Sequence, residues 1–427
     1  MTYKDRLKLF SNKNILFLIP KGIHSIENSG EIIKRYIQNA SYNANIVTES
    51  LYALKNIKEL IKNTDILCIH APLQECYAFM DVFKSFYNRN ELKIIAFPVW
   101  EEDLYSFYKT NKNKDERKLH SLNALLSLYQ EVDYMGLYSY ILYEQVDKLF
   151  SKKHKHFYMD FEEFHFKSLE TSFAKTDTFN ILYNFAGIDF WRKNPIGLIE
   201  ACNKAFNEYD NITITLKTSK LSKEHEDMLI KKSKHKLNVI NELLDGYAIE
   251  KLYENCDVYA SSHVYEGFGL TILEAIKKSK TVVATSYGGY SDYLSGIFEE
   301  IFYVRAKKST FGHINPPLHE ESIVYYPDIE HFANILTYLY MKKFGIYIFG
   351  NTRISNMVKD VVAMENIPIR GIITDNEPNT LRPQDINPHI KTVIAISSKP
   401  TIEKISSRIP NSISYYDFFK LLKRVKH

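Results

Sequence analysis

Tyr265-Glu-Gly-Phe-Gly-Leu-Thr-Ile-Leu-Glu-Ala275 is the stretch on which the fold turns. Two carboxylates, Glu266 and Glu274, stand on either side of a Gly-Phe-Gly turn. The apolar residues Leu270, Ile272, Leu273 and Ala275 follow it, the spacing of a helix that begins at the turn. A helix start presents unpaired backbone N–H groups and a partial positive charge, and so can hold a phosphate. The two glycines let the backbone approach a ligand with no Cβ in the way. On this reading one acid reaches a sugar hydroxyl on one side of the phosphate and the other a ribose hydroxyl on the opposite side. An ordinary strand–turn–helix with two solvated acids accounts for the same residues, and short motifs give many false matches.

Outward from this stretch, short apolar runs alternate with longer amphipathic segments. Strands are expected at Ile15–Ile19, Ile66–Ile69, Lys93–Phe97, Phe179–Tyr183, Ile212–Leu216, Val239–Ile240, Val258–Ala260 and Thr281–Ala284. Helices are expected at Gly30–Asn39, Pro195–Asn207, Ala248–Asn255 and Asp328–Lys343. The alternation predicts an α/β protein with parallel sheets covered by helices on both faces. It restarts twice, which divides the chain into 1–172, 173–342 and 343–427. Ser309–Tyr326, with Pro316-Pro317, reads as a long loop. Two domains of this class leave a cleft at the carboxyl ends of their strands, where ligands bind.

The 427 residues suffice for two or three cores. Lys and Arg number 55 against 51 Asp and Glu, an excess too small to imply nucleic acid. The basic runs Lys109–Lys114 and Lys152–His156 read as solvated loops, with an anionic membrane surface as the minority reading. Cys68, Cys76, Cys202 and Cys256 lack metal-ligand spacing and read as core residues in a reducing compartment. No apolar run is long enough to span a bilayer, and a cytoplasmic protein is expected.

In the second domain, the first strand leads into Asn184-Phe-Ala-Gly187 and then Arg192-Lys193-Asn194-Pro195. Pro195 suits a first helical turn, so Arg192 and Lys193 lie in a strand-to-helix loop at the ligand edge of the sheet. Two cations there can neutralise a diphosphate; surface cations are the alternative. These residues, with Leu252–Val258, Glu266–Ala275 and Val282–Gly289, resemble the retaining glycosyltransferases of GT-B fold, family 4. The resemblance spans the second domain in order and spacing, is weaker over 1–172 and is absent after about 343.

The resemblance implies two Rossmann-like domains facing a cleft. Arg192 and Lys193 would bind the donor diphosphate and stabilise its charge, and Glu266 would hold the transferred sugar. Phe268, Gly269, Leu270 and Thr271 would cradle phosphate, and Glu274 would hold the ribose. Lys217 either points at the donor or is a solvated lysine. In the first domain Gly22 stands where relatives carry a glycine loop, with His24 just after it. Trp100 and Glu101 resemble a Trp-Glu variant of the acceptor side, against a buried Trp with an exposed acid. His70 is either a cleft residue or a satisfied core histidine.

Family habits imply a UDP- or GDP-sugar donor, a glycan or lipid-linked acceptor and surface-polysaccharide or lipopolysaccharide synthesis. They imply no metal, no cofactor and no nucleic acid. Contact with the inner face of the membrane and homo-oligomerisation stay open. An epimerase or phosphorylase of the same fold, or a non-catalytic sugar-nucleotide-binding module, are the alternatives. The third segment begins Ile346-Tyr-Ile-Phe-Gly350 and reads as a small Rossmann-like accessory unit. Asp375 stands near its ribose position, but Thr352 and Ser355 replace the later glycines of G-x-G-x-x-G.

Overall fold

A computed structural model describes residues 3–85, 87, 92–100, 102–111, 120–150, 155–159, 171–291, 301–313, 318, 320–375 and 380–426. The first sheet contains β1 (Asn14–Ile19), β2 (Asn45–Ser50), β3 (Ile66–Pro72), β4 (Lys93–Val99), β5 (Tyr134–Leu137) and β6 (His156–Tyr158). Its order is β2-β1-β3-β4-β5-β6, with every neighbouring pair parallel. The second contains β7 (Phe179–Asn184), β8 (Ile212–Thr218), β9 (Lys236–Asn241), β10 (Val258–Ser261), β11 (Thr281–Thr285) and β12 (Ile301–Val304). Its order is β12-β11-β10-β7-β8-β9, again parallel throughout. β10 and β11 are buried along their whole length, as strands covered by helices on both faces must be. The expected parallel α/β architecture is therefore present.

Strand order decides where ligands can sit. The first sheet reverses direction of growth between β1 and β3, and the second between β7 and β10. A doubly wound sheet opens a crevice at the carboxyl ends of the two strands flanking that reversal. In the second sheet those ends lead into Asn184–Asn194 and Ser262–Thr271, the two segments singled out in the sequence.

The long loop expected over Ser309–Tyr326 needs correction. β13 (Ala306–Thr310) and β14 (Ile323–Pro327) form an antiparallel hairpin that pairs Thr310 with Ile323. β13 is polar and mostly exposed, so no apolar run announced it. The hairpin reaches the first domain, where Tyr325 OH donates to Asp103 Oδ2 at 2.8 Å and Asp103 N–H donates to Ile323 O at 3.1 Å.

A third parallel sheet has the order β16-β15-β17-β18, from β15 (Ile346–Phe349), β16 (Ile369–Ile373), β17 (Lys391–Ile394) and β18 (Ser412–Ser414). It is fixed to the second domain by a buried polar cluster. Lys391 Nζ donates to Asp210 Oδ2 at 2.9 Å, and Asn411 Nδ2 donates to Asp210 Oδ1 at 2.9 Å. At the mouth of this sheet Thr352 caps the helix Arg353–Met364, accepting from the Ile354 and Ser355 N–H groups. Ser355 Oγ accepts from Thr352 N–H and donates to Gly350 O. Asp375 is paired with Arg408 at 2.8 Å. The loop's own side chains thus occupy groups that a dinucleotide would need. All four cysteines are buried and free. No helix among the described residues is long and apolar enough to cross a membrane.

Candidate functional site

The site is assembled by stitching the loop after β7 to the loop after β10. Phe190–Lys193 is a single helical turn, stopped by Asn194 in the left-handed conformation (φ 49°, ψ 50°). Asparagine is among the few residues that adopt it readily. The Asn194 side chain caps the next helix, Pro195–Ala205, by accepting from Gly197 N–H at 3.2 Å. Its Nδ2 donates to Ser262 O at 3.0 Å, Ser262 Oγ donates to Asn194 O at 2.6 Å, and Val264 N–H donates to Arg192 O at 2.9 Å. Residues some seventy positions apart are therefore brought side by side.

The outcome is a buried charge cluster. The Lys193 ammonium donates to Glu266 Oε2, and Arg192 Nη1 lies 3.8 Å from the same oxygen. Arg192 Nη2 donates to Asp189 Oδ2 at 2.5 Å, and its Nη1 donates to Tyr265 O at 3.3 Å. Burial pushes the Glu266 carboxyl up, but Lys193 and then Arg192 outweigh it and hold the group at about 2. Glu266 is thus ionised at neutral pH. His263 is fully buried behind the cluster, with Nδ1 2.8 Å from Ser261 Oγ, and burial drives its pKa down to about 3. Asp189 and His263 were missed in the sequence. Asp189 was legible as an acid three residues before Arg192, whereas His263 carries no signal of its own.

Beside the cluster the helix Leu270–Lys277 starts from Gly269, whose φ of +74° suits glycine and which offers no side-chain cap to the first N–H groups. The turn is propped from behind by Gly289, whose N–H donates to Glu266 O at 2.8 Å. A Cβ on Gly289 would sit 1.8 Å from Gly267 O, so only glycine fits. Thr271 Oγ1 accepts from Tyr259 OH at 2.7 Å. Glu274, half-buried in the second turn, accepts from Tyr253 OH at 3.0 Å, and burial raises its pKa.

These groups face a cavity of about 240 Å³ between the first two sheets. Arg192, Lys193, Lys217, Glu266 and Phe268–Thr271 line it from the second domain, and Ser25, Ile26, Ser29 and Val99 from the first. Ser25, Ile26 and Ser29 belong to the first turns of the helix His24–Asn39, which has no side-chain cap, so a second helix start points at the same space. The contact across the cleft is close. Tyr138 and Phe268 have ring centroids 5.0 Å apart, and Gln145 Nε2 donates to Tyr265 OH at 3.2 Å.

Several expected residues are placed elsewhere. Gly22, with φ +90°, is exposed and does not line the cavity; its N–H donates to Glu27 Oε1 at 2.9 Å. Trp100 is only 2% exposed, its Nε1 donates to Gln145 Oε1 at 3.3 Å, and no face is offered to a sugar. His70 is fully buried between Ser29 Oγ (2.7 Å) and Phe97 O (2.8 Å), with its pKa lowered to about 4 by burial. It is a satisfied core histidine one hydrogen bond behind the cavity wall. Glu274 stands behind Thr271 and is not itself part of the lining. Lys217 is buried, not solvated. His24 opens its helix; its side chain, like Glu101, lies outside the described residues. Among the described residues no group of three or more His, Cys, Asp or Glu could hold a metal ion.

Against this geometry, residues 170–297 match the family model Glycosyl transferases group 1. Similar solved structures include the pneumococcal O-GlcNAc transferase GtfA in complex with UDP and GlcNAc, at 14% identity and TM-score 0.46. That similarity covers 68% of this chain and 53% of the other, so this chain spans about half the length of the pneumococcal protein. Anabaena HepE in complex with UDP and glucose is similar at 14% identity and TM-score 0.47, covering 76% of this chain and 89% of that one. The lipopolysaccharide outer core galactosyltransferase WaaB is similar at 11% identity and TM-score 0.43, covering 76% and 90%. No curated protein matches the sequence.

Proposed function

We propose that the chain is a retaining, metal-independent glycosyltransferase of GT-B fold. It takes a sugar from a UDP- or GDP-sugar and transfers it to a glycan or lipid-linked acceptor, in the assembly of a bacterial surface polysaccharide or lipopolysaccharide at the cytoplasmic side of the membrane. The observation that carries this reading is the convergence of Arg192, Lys193 and Glu266 beside the uncapped helix start at Gly269.

In the reaction, the bond between the sugar's anomeric carbon and the diphosphate oxygen breaks, and a bond from that carbon to the acceptor oxygen forms. Negative charge builds on the departing diphosphate. Arg192, Lys193 and the N–H groups at Leu270 and Thr271 stabilise it with groups fixed before the reaction begins. The acceptor hydroxyl attacks from the face the diphosphate leaves, and the departing phosphate oxygen takes its proton, so neither a protein base nor a covalent intermediate is required. Glu266, ionised in the free protein, exchanges part of its hold on Lys193 for the sugar's hydroxyls, which orients the anomeric carbon. Glu274, behind Thr271 in the second turn of the same helix, exchanges its bond from Tyr253 for the ribose hydroxyls when the donor binds.

The test is incubation with UDP-, GDP-, ADP- and CMP-sugars, following binding, slow donor hydrolysis and the anomer released. Hydrolysis of one donor with retention of configuration is expected. Binding without hydrolysis or transfer would favour a sugar-nucleotide-binding module, and C2 inversion or phosphate-dependent release would favour an epimerase or a phosphorylase. No binding to any donor would overturn the proposal.

A further inference from the structure

The hairpin β13–β14 takes no part in the proposed chemistry, yet it touches each loop from which the charge cluster is built. Just past β13, His313 stacks on Trp191, next in sequence to Arg192, with ring centroids 4.0 Å apart and planes at 7°. In β14, Tyr325 N–H donates at 2.8 Å to the carbonyl of Val264, which precedes Tyr265-Glu266. The Tyr325 ring stacks on Tyr287 at 3.5 Å and 16°, and Tyr287 meets Tyr265 edge-on at 5.7 Å.

With its hydroxyl the same tyrosine reaches the first domain. The acceptor there, Asp103, is only 4% exposed and opens the helix Leu104–Asn111, where its Oδ1 accepts from Ser106 N–H at 3.0 Å. Oδ2 is left to the hairpin. Tyr325 OH donates to it at 2.8 Å, and Lys308 Nζ lies 3.7 Å from it while donating to Ser106 Oγ. A carboxylate at this depth needs its donors, since losing one leaves buried charge uncompensated. These cross-domain bonds are polar, so water takes them over when the domains part, and the seam opens at low net cost.

We propose that Tyr325 is a positioning residue: it clasps Asp103 of the first domain while holding the loop of Glu266, so that seating the first domain and placing Glu266 are a single event. The path is a short chain of direct contacts, from Asp103 through Tyr325 to Val264 and Glu266. Its consequence for turnover rests on the proposed function; the coupling itself does not. A nucleotide without a sugar does not meet Glu266, so its binding is indifferent to the clasp, whereas breaking the sugar–phosphate bond depends on it.

The experiment compares wild type, Tyr325→Phe and Tyr326→Phe as full chains. It follows hydrogen exchange of the free proteins, hydrolysis of the UDP- or GDP-sugar that the wild type turns over, and titration with UDP and GDP. Phenylalanine at 325 keeps the ring on Tyr287 and the N–H to Val264 O, and removes the bond to Asp103. Tyr326→Phe is the control, because Tyr326 OH donates to Phe311 O, at 2.6 Å inside the hairpin. In Tyr325→Phe, exchange rises about tenfold at Asp103 N–H, which donates to Ile323 O, and at Gly289 N–H, which holds Glu266 O. Donor hydrolysis slows about tenfold. Affinity for UDP or GDP stays within about twofold. Tyr326→Phe behaves as wild type throughout. A rise at Asp103 without one at Gly289 would leave a plain domain contact and overturn the inference. Equal changes in Tyr326→Phe, no change in either variant, or hydrolysis at the wild-type rate in Tyr325→Phe would overturn it as well. If the wild type hydrolyses no donor, the proposed function fails, and exchange at Gly289 still decides the coupling.

Discussion

Replacing Glu266 by Gln keeps the shape of the side chain and removes the charge that Lys193 and Arg192 share. The folded protein holds this carboxyl at about 2 against an ordinary value of 4.5. That difference corresponds to about 3 kcal/mol at neutral pH. Breaking a buried pair from one side costs about the same, 3–5 kcal/mol. Because the folded pKa is depressed, the contribution is fully present above about pH 4.5 and disappears as pH falls through about 2. Glutamine does not titrate, so the difference between wild type and Glu266→Gln follows the carboxyl alone. Urea unfolding followed by tryptophan fluorescence is a suitable assay, since Trp191 adjoins Arg192 in sequence. The expected difference is about 3 kcal/mol at pH 7, falling to about 1 kcal/mol at pH 3. A difference that stays constant from pH 7 to pH 3, or none at pH 7, would refute the charge-cluster account.

Gly289→Ala forces a Cβ against Gly267 O and should destabilise by about 2 kcal/mol or more, read as a lower urea midpoint together with weakened nucleotide binding; an unchanged midpoint would count against the tight turn. Asp210→Ala leaves Lys391 buried without its acid and should cost about 3 kcal/mol, with hydrogen exchange rising first around β17 and β18; protection equal to wild type would show that the third sheet is held by other contacts. Tyr253→Phe removes the donor to Glu274 and to Thr271 O, at an expected cost of about 1 kcal/mol in thermal unfolding.

How much was legible in the sequence follows from burial. Strands such as β1, β4 and β11 are buried along most of their length, so each shows as an apolar run. Edge strands do not: β2 is at best half-buried, β13 is polar, and neither has a run to read. Arg192-Lys193 and the Glu266–Thr271 turn were recognisable as motifs. That Lys193 and Glu266 touch depends on β7 lying next to β10, which no spacing along the chain reveals. His70 and Trp100 show the opposite difficulty. A polar ring one step from a cleft has the same sequence whether it faces a ligand or its own core, and here Ser29, Phe97 O and Gln145 decide for the core. Lys217 stood on the same ambiguity and falls on the other side of it, buried yet facing the cavity.

The central claim is that the cleft holds a nucleotide-sugar through Lys193 and through Glu274. The most direct measurement is titration of the best-bound donor against wild type, Lys193→Ala and Glu274→Ala, with circular dichroism to establish that each variant is folded. Both variants should lose about tenfold or more in donor affinity, each having lost a charged contact to the donor. Wild-type affinity in both folded variants would contradict the account.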